Sequence, residues 1–173
     1  PTACETLAKL FRHRLLDPAW HRRYLRLTQR VANEAAQMSA FRELFWLRQR
    51  CALLPFEVAL YERGPTESTG EEIRERLADA LLAAVPSHFW QVDSAPPFTT
   101  AAGLRAAALE AAVHRALEQQ FNEDYWRNPS AGRWLLNLFG RASATRAEDI
   151  ALELGASMSL QAAEARLLAA IGS

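Results

Sequence analysis

Three observations predict an all-α fold for this chain. Alanine and leucine make up about a third of the 173 residues, whereas valine and isoleucine together number only eight. This composition favours helices over strands. Apolar residues recur at helical spacing along most of the chain, and no apolar–polar alternation typical of a strand persists over four residues. We therefore expect one irregular helical domain of seven or eight helices, spanning residues 1–173.

Four helices are predicted in the first half of the chain, each from a signal at its N-terminus. A capping side chain there accepts a hydrogen bond from a backbone N–H of the first helical turn. Thr2 and Thr69 are each followed three residues later by a glutamate, the pattern of a capping box. Asp17 precedes a proline, which suits a first turn. The four predicted capping residues are Thr2, Asp17, Thr28 and Thr69.

The third of these helices is predicted to be long and to end at Gly64-Pro65. Pro55 lies inside it, and we expect a kink there because proline removes an amide donor and crowds the carbonyl four residues back. Cys51 belongs to the apolar stripe of this helix and, like Cys4, is interpreted as a small core residue. The stripe consists of Val31, Ala35, Met38, Phe41, Phe45, Leu47, Cys51, Leu54, Val58 and Tyr61.

The second half of the chain is predicted to open with an irregular stretch from Pro86 to Thr100. This stretch contains a Pro-Pro pair, which cannot lie inside a helix, and its aromatic residues Phe89, Trp90 and Phe98 are expected to pack down.

Further helices are predicted beyond this stretch. An alanine-rich helix from Thr100 to about Phe121 should allow close approach of its neighbours. Asn128-Pro129 opens the next helix, Thr145 is the predicted cap of another, and the last runs from about Leu160 to Ile171.

The composition disfavours several classes of function. Basic and acidic residues balance at 20 each, so the chain lacks the positive charge typical of nucleic-acid-binding domains. No apolar run approaches the roughly 18 residues that span a bilayer, and no signal-peptide pattern opens the chain. Two cysteines are too few for a disulfide framework. We therefore expect a cytoplasmic protein that binds neither membranes nor nucleic acid.

One region keeps RNA binding open as an alternative. The first 50 residues contain ten basic and four acidic side chains. The arginines between Arg12 and Arg30 cluster with Trp20 and Tyr24, and cations combined with aromatic rings are typical of RNA-facing surfaces. The rest of the chain carries an equal acidic excess, which would neutralise this region if the two parts pack together.

Residue type and spacing identify no catalytic motif. A zinc hydrolase commonly places two histidines one helical turn apart, and no pair among the four histidines has that spacing. There is neither a G-x-S-x-G sequence nor a glycine-rich phosphate loop. The carboxylate pairs at 71–72 and 123–124 lie near helix starts, where acidic residues favour the helix dipole. The histidines are His13, His21, His88 and His114.

Two stretches of the sequence carry a family resemblance. The first contains Leu104-Arg105-Ala106 in the alanine-rich helix, the run FNEDYWRNPSAG from Phe121, and the run LELG from Leu152. The second is the N-terminal run PTACETLAKLF. The first stretch resembles the closing segment of thimet-oligopeptidase-like and oligoendopeptidase-like zinc metallopeptidases, the gluzincin group. The second is similar to the helix that follows the zinc-binding helix in these enzymes.

The resemblance implies a zinc ion held by two histidines of an H-E-x-x-H motif and by a glutamate from a later helix, with the motif glutamate as general base. H-E-x-x-H is absent here, so the chain would begin after it. Glu5 is the candidate third zinc ligand within the chain. The alternatives are that the ligand lies just ahead of Pro1 and that Glu5 belongs to the capping box.

The resemblance also implies that Arg105 is a substrate-binding residue of the peptide cleft, its alternative being an ordinary helix salt bridge. The sequence departs from the family pattern nearby. It has Ala102-Gly103 where the family tends to place tyrosines, and Ala107 where an aromatic residue is common.

We therefore expect the C-terminal part of a longer zinc metallopeptidase, forming one wall of a cleft for peptide substrates. Alone it should neither bind zinc tightly nor hydrolyse peptides, because one carboxylate is not a site. Such a part should expose an apolar face and self-associate through it. The alternative is a non-catalytic helical interaction module, whose groove lies between the alanine-rich helix and the loop Phe89–Phe98.

Overall fold

The computed structural model describes residues 2–87, 98–141 and 144–172, and within these ranges it contains helices and no strands. Short 3-10 helices follow α1 (His13–Leu16) and precede α6 (Tyr125–Arg127). The predicted all-α fold is confirmed. The α-helices are α1 (Thr2–Arg12), α2 (Pro18–Tyr24), α3 (Gln29–Arg63), α4 (Thr69–Leu81), α5 (Thr99–Phe121), α6 (Pro129–Arg141), α7 (Ala147–Glu153) and α8 (Gln161–Gly172).

Several helix ends lie where the sequence predicts them. The Asp17 carboxylate accepts hydrogen bonds from the first backbone N–H groups of α2, the shorter at 2.8 Å. The Thr28 hydroxyl accepts one from the N–H of Val31 at the start of α3. Gly64 ends α3 with a φ of +76°, a positive value that glycine adopts without a Cβ penalty.

Three of the predicted caps are wrong. Thr2 already lies within α1, Thr69 is the first residue of α4, and Arg146 rather than Thr145 precedes α7. Two of these hydroxyls bind the backbone of a preceding residue instead. The Thr69 hydroxyl accepts from the Thr66 N–H, and the Thr145 hydroxyl donates to the carbonyl of Arg141. Threonine readily forms such local bonds, which compete with capping.

The buried face of α3 differs from the predicted stripe. The helix continues through Pro55 to Arg63, but Met38, Phe41 and Phe45 are exposed by 67%, 56% and 40%. Between residues 29 and 46, α3 buries Ala32, Ala36 and Ala40, and further along it buries Leu47, Leu53, Phe56 and Glu57. Alanine lets neighbouring backbones approach closely, so in the first half of α3 packing density selects small side chains over the most hydrophobic ones. Cys4 and Cys51 are also exposed, so their interpretation as core residues is wrong.

The core is built around α5. Leu109, Val113 and Leu117 of this helix are buried almost completely, and helices α1, α3, α7 and α8 pack around it. Phe98 just ahead of α5 is 78% exposed, contrary to the prediction that it packs down. Phe89 and Trp90, for which the same was predicted, lie outside the described residues. None of the helices within the described ranges has the length and apolar character needed to cross a membrane.

Candidate functional site

Glu5, the predicted zinc ligand, lies where α1 packs against α5. Its Oε1 atom is 3.1 Å from the position that a Cβ would occupy at Gly103, and the Trp46 ring of α3 is 3.3 Å from that position. The absence of a side chain at Gly103 therefore allows three helices to meet at one point. The two segments that carry the family resemblance are brought together here, although they are far apart in sequence.

Cationic side chains hold Trp46 beside this point. Lys9 Nζ lies 3.6 Å from the centroid of the Trp46 ring and 3.3 Å from Glu43 Oε1. Arg12 binds the other carboxylate oxygen of Glu43 at 3.0 Å. A cation over an aromatic face and a shared carboxylate both favour a fixed geometry. These contacts attach α1 to α3 one and two turns beyond Glu5.

A larger residue at Gly103 tests this close packing. We expect Gly103→Leu to lower the free energy of unfolding by about 1–3 kcal/mol, because the new side chain would overlap Glu5 and Trp46. Gly132→Leu in α6 is the matched control, since a Cβ at Gly132 meets no atom within 4 Å. The control should be neutral or slightly stabilising, because leucine is the better helix former. Urea unfolding measures both variants, and equal stabilities would contradict the packing described.

The described residues do not complete a zinc site around Glu5. Within residues 2–87, 98–141 and 144–172, no three His, Cys, Asp or Glu side chains are grouped so that they could hold a metal ion. Glu5 contributes one carboxylate, which lies where Gly103 and Trp46 meet. Zinc hydrolases use three protein ligands, so the residues present do not fit a zinc ion by themselves.

Arg105, the predicted substrate-binding residue, points to a different side of α5 from Gly103. Two consecutive steps along a helix rotate the side chain by about 200°. Arg105 binds both carboxylate oxygens of Glu148 in α7, at 2.5 and 2.9 Å. The hydrogen bond from Arg105 lowers the pKa of Glu148 below its ordinary value. The structure thus links Arg105 to α7 and does not bring it to Glu5, and its role towards substrate stays a prediction.

A buried polar cluster that the sequence analysis missed lies between α5, α8 and the 3-10 helix after α1. The rings of His13 and His114 are in contact, with centroids 3.9 Å apart. Glu110 forms an ion pair with Arg166 of α8 at 2.5 Å. His114 Nδ1 lies 3.3 Å from Glu118 Oε2. We call His13, Glu110, His114 and Arg166 the histidine cluster.

Burial keeps both imidazoles of the histidine cluster neutral. It lowers the pKa of His13 far below its ordinary value and that of His114 to about 3, and the positive charge of Arg166 adds to both effects. Burial also raises the pKa of Glu118. The same cause raises the pKa of Tyr125 to about 12, and the Tyr125 hydroxyl accepts a hydrogen bond from Arg14 at 2.7 Å.

The histidine cluster has the residue types of an acid–base site but not its setting. An efficient general base has a pKa near the working pH, whereas that of His114 lies near 3. Glu110 and His114 are 3% and 5% exposed, so the cluster belongs to the core. Its signal in the sequence is the four-residue spacing of Glu110, His114 and Glu118 on one helix face, which a search for histidine pairs alone does not detect.

The arginines of the predicted RNA surface fall into two groups. Arg12, Arg14 and Arg30 contact Glu43, Tyr125 and Glu34 within the protein. The others are exposed beside Tyr24, itself 54% exposed, and RNA binding stays the alternative to the prediction that the chain binds no nucleic acid. These exposed arginines are Arg22, Arg23 and Arg26.

An apolar groove of about 700 Å³ lies between α1 and α6. Phe11 and Leu136 in its walls are 65% and 75% exposed. Arg14 and Arg127 also line it, and no acidic side chain among the described residues does so. This groove lies between α1 and α6 rather than beside α5, so it is not the predicted one. The prediction of a groove between α5 and the loop Phe89–Phe98 falls on a loop that lies almost entirely outside the described residues.

Comparison with known proteins does not identify a relative. No family model matches the chain, and no match was found among the curated proteins or the solved structures.

Proposed function

We propose that this chain is the C-terminal helical part of a zinc metallopeptidase and forms one wall of its peptide cleft. The observation that carries the proposal is the meeting of Glu5 and Gly103. The resemblance assigns Glu5 to the helix after the zinc-binding helix, and it assigns the residues just ahead of Leu104-Arg105 to substrate docking. A zinc ligand and a substrate-docking segment must be neighbours in a peptidase, and the packing of α1 on α5 makes these two segments neighbours.

The packing around Glu5 leaves the other zinc ligands to a preceding part of the protein. Ala102 and Gly103 occupy positions where the family tends to place tyrosines, and the missing side chain at Gly103 lets Glu5 and Trp46 approach α5 closely. A carboxylate at such a point can hold a metal ion only together with ligands from elsewhere. The histidines and the general base would therefore belong to a preceding H-E-x-x-H helix, and this chain would contribute the surrounding wall.

The decisive experiment is to read the residues encoded ahead of Pro1 and to assay the whole gene product. We expect an H-E-x-x-H motif roughly 20–30 residues before Glu5. The whole product should cleave a fluorogenic peptide mixture, lose this activity with a chelator and regain it with zinc. A reading frame without such a motif would reject the proposal, as would a whole product that neither cleaves peptides nor contains zinc.

The role of Glu5 is tested in the same gene product. If Glu5 is the third ligand, Glu5→Gln removes bound zinc and activity together. Glu67→Gln, which changes an exposed carboxylate in the loop before α4, is the matched control and should retain both. If Glu5→Gln keeps a full zinc content, the ligand lies ahead of Pro1 instead.

A zinc titration of this chain alone gives a further prediction. Calorimetry should detect no tight stoichiometric binding, because the described residues contain no group of three side chains that could hold a metal ion with Glu5. Replacement of Glu5 by glutamine should leave the titration unchanged. Tight binding of one zinc ion per chain would contradict the proposal that the other zinc ligands belong to a preceding part of the protein.

A second candidate function, a non-catalytic helical interaction module, is favoured by the apolar groove between α1 and α6. A groove of about 700 Å³ with apolar walls suits an amphipathic helix of a partner. The assay of the whole gene product separates the two candidates, since only the peptidase loses a measurable activity on zinc removal.

A further inference from the structure

The outward face of α3 carries an apolar stripe that is exposed in the described part of the chain. Met38, Phe41 and Phe45 are spaced by three and four residues, so they lie on one side of the helix. All three are among the exposed large hydrophobic residues. The alanines that α3 buries lie on the opposite side. This part of α3 thus has two apolar faces, and the fold covers the one with small side chains. We call Met38, Phe41 and Phe45 the outer stripe.

Opposite charges lie at the two ends of the outer stripe. Glu34 precedes Met38 by one turn, and Arg48 follows Phe45 by one turn. Both side chains are exposed, and each lies seven residues from Phe41, which corresponds to about 10.5 Å along the helix. Arg48 forms no ion pair within the described ranges, whereas Glu34 pairs with Arg30 one turn earlier. The charges are therefore placed symmetrically about Phe41 and have opposite signs.

We propose that the outer stripe binds a second copy of this chain, with the two α3 helices antiparallel and a two-fold axis near Phe41. A two-fold contact uses the same patch on both copies, so the patch must complement itself. In the antiparallel arrangement Phe41 packs against Phe41 of the second copy. Glu34 then lies next to Arg48 of the second copy at both ends. A parallel pair would place like charges together, which the pattern disfavours.

Arg42 is the charge nearest to the proposed axis. It lies on one flank of the outer stripe and is exposed, so the two copies of Arg42 would face each other at the edge of the contact. Solvent and salt screen like charges strongly in such a position. The apolar centre and the two end pairs therefore favour association. The proposal does not depend on the peptidase function.

Light scattering and sedimentation at several protein concentrations test the dimer. We expect a dimer fraction that rises with concentration. Phe41→Glu should raise the dimer Kd by roughly 30-fold or more, because it places two like charges at the centre of the contact. Leu152→Glu in α7 is the matched control, since Leu152 is 75% exposed and lies outside the outer stripe. Circular dichroism confirms that both variants retain their helices.

Charge reversal tests the antiparallel arrangement. Glu34→Arg and Arg48→Glu should each weaken the homodimer, because each variant then faces a like charge at both ends. An equimolar mixture of the two variants should form a heterodimer at wild-type strength, since every end pair again has opposite charges. A mixture that does not recover rejects the antiparallel register.

Two other results would overturn the proposal. A wild-type chain that stays monomeric at every concentration would show that the outer stripe does not bind a second copy of the chain. A dimer that Phe41→Glu does not weaken would place the contact on another surface.

Discussion

Acidification from about pH 7 to about pH 4.5 is expected to remove most of the stability of this protein, because His13 and His114 must then take up protons inside the core. Both folded-state pKa values lie below the ordinary value of 6.5, which the unfolded chain retains. The stabilisation by the neutral rings is therefore complete above about pH 6.5 and is lost as the pH falls below it. The loss is up to about 1.4 kcal/mol per pH unit for each ring.

Over two pH units the two rings together lose up to about 5 kcal/mol, which is comparable with the whole stability of many domains. Glu118 offsets part of this loss. Burial raises its pKa, so its protonation at low pH favours the folded state. Urea unfolding between pH 7 and pH 4.5 measures the slope of stability against pH.

His114→Gln is the informative variant for this slope. It removes one titrating ring and should reduce the slope by about half, whatever its effect on stability at neutral pH. A wild-type stability that stays constant between about pH 6.5 and about pH 5 would contradict the burial of two neutral histidines.

Removal of Glu110 is the substitution with the largest expected effect. Glu110 is 3% exposed and forms an ion pair with Arg166 beside the two histidines. We expect Glu110→Ala to lower the free energy of unfolding by about 3–5 kcal/mol, because the guanidinium of Arg166 loses its carboxylate partner in a largely buried setting.

Two comparisons separate loss of the pair from general damage. The double variant Glu110→Leu with Arg166→Met removes both charges and should recover most of the stability. Glu153→Ala removes the exposed partner of Arg141 and should have little effect, since exposed pairs contribute little. If Glu110→Ala is as stable as Glu153→Ala, the buried ion pair does not hold the cluster together.

The candidate site could be predicted from the sequence only in part. The resemblance selects Glu5 and Arg105, and the structure places Glu5 at the junction of three helices but binds Arg105 to Glu148 of α7. Arg105 and Glu148 are far apart in sequence, so no local pattern reveals that they meet. The histidine cluster was missed for the same reason. The spacing of Glu110, His114 and Glu118 can be read from the sequence. That His13 and Arg166 lie beside them depends on how three segments of the chain pack together.

The sequence by itself determined where most helices lie and how several of them begin and end. These features depend on residues within one or two turns, such as the cap at Asp17 and the positive-φ Gly64 at the end of α3. Only the tertiary structure decided which face of α3 is buried. Side-chain hydrophobicity favours the face of Met38, Phe41 and Phe45, but helices pack closest where side chains are small. In the first half of α3 the core therefore contains the alanine face, and Met38, Phe41 and Phe45 remain exposed.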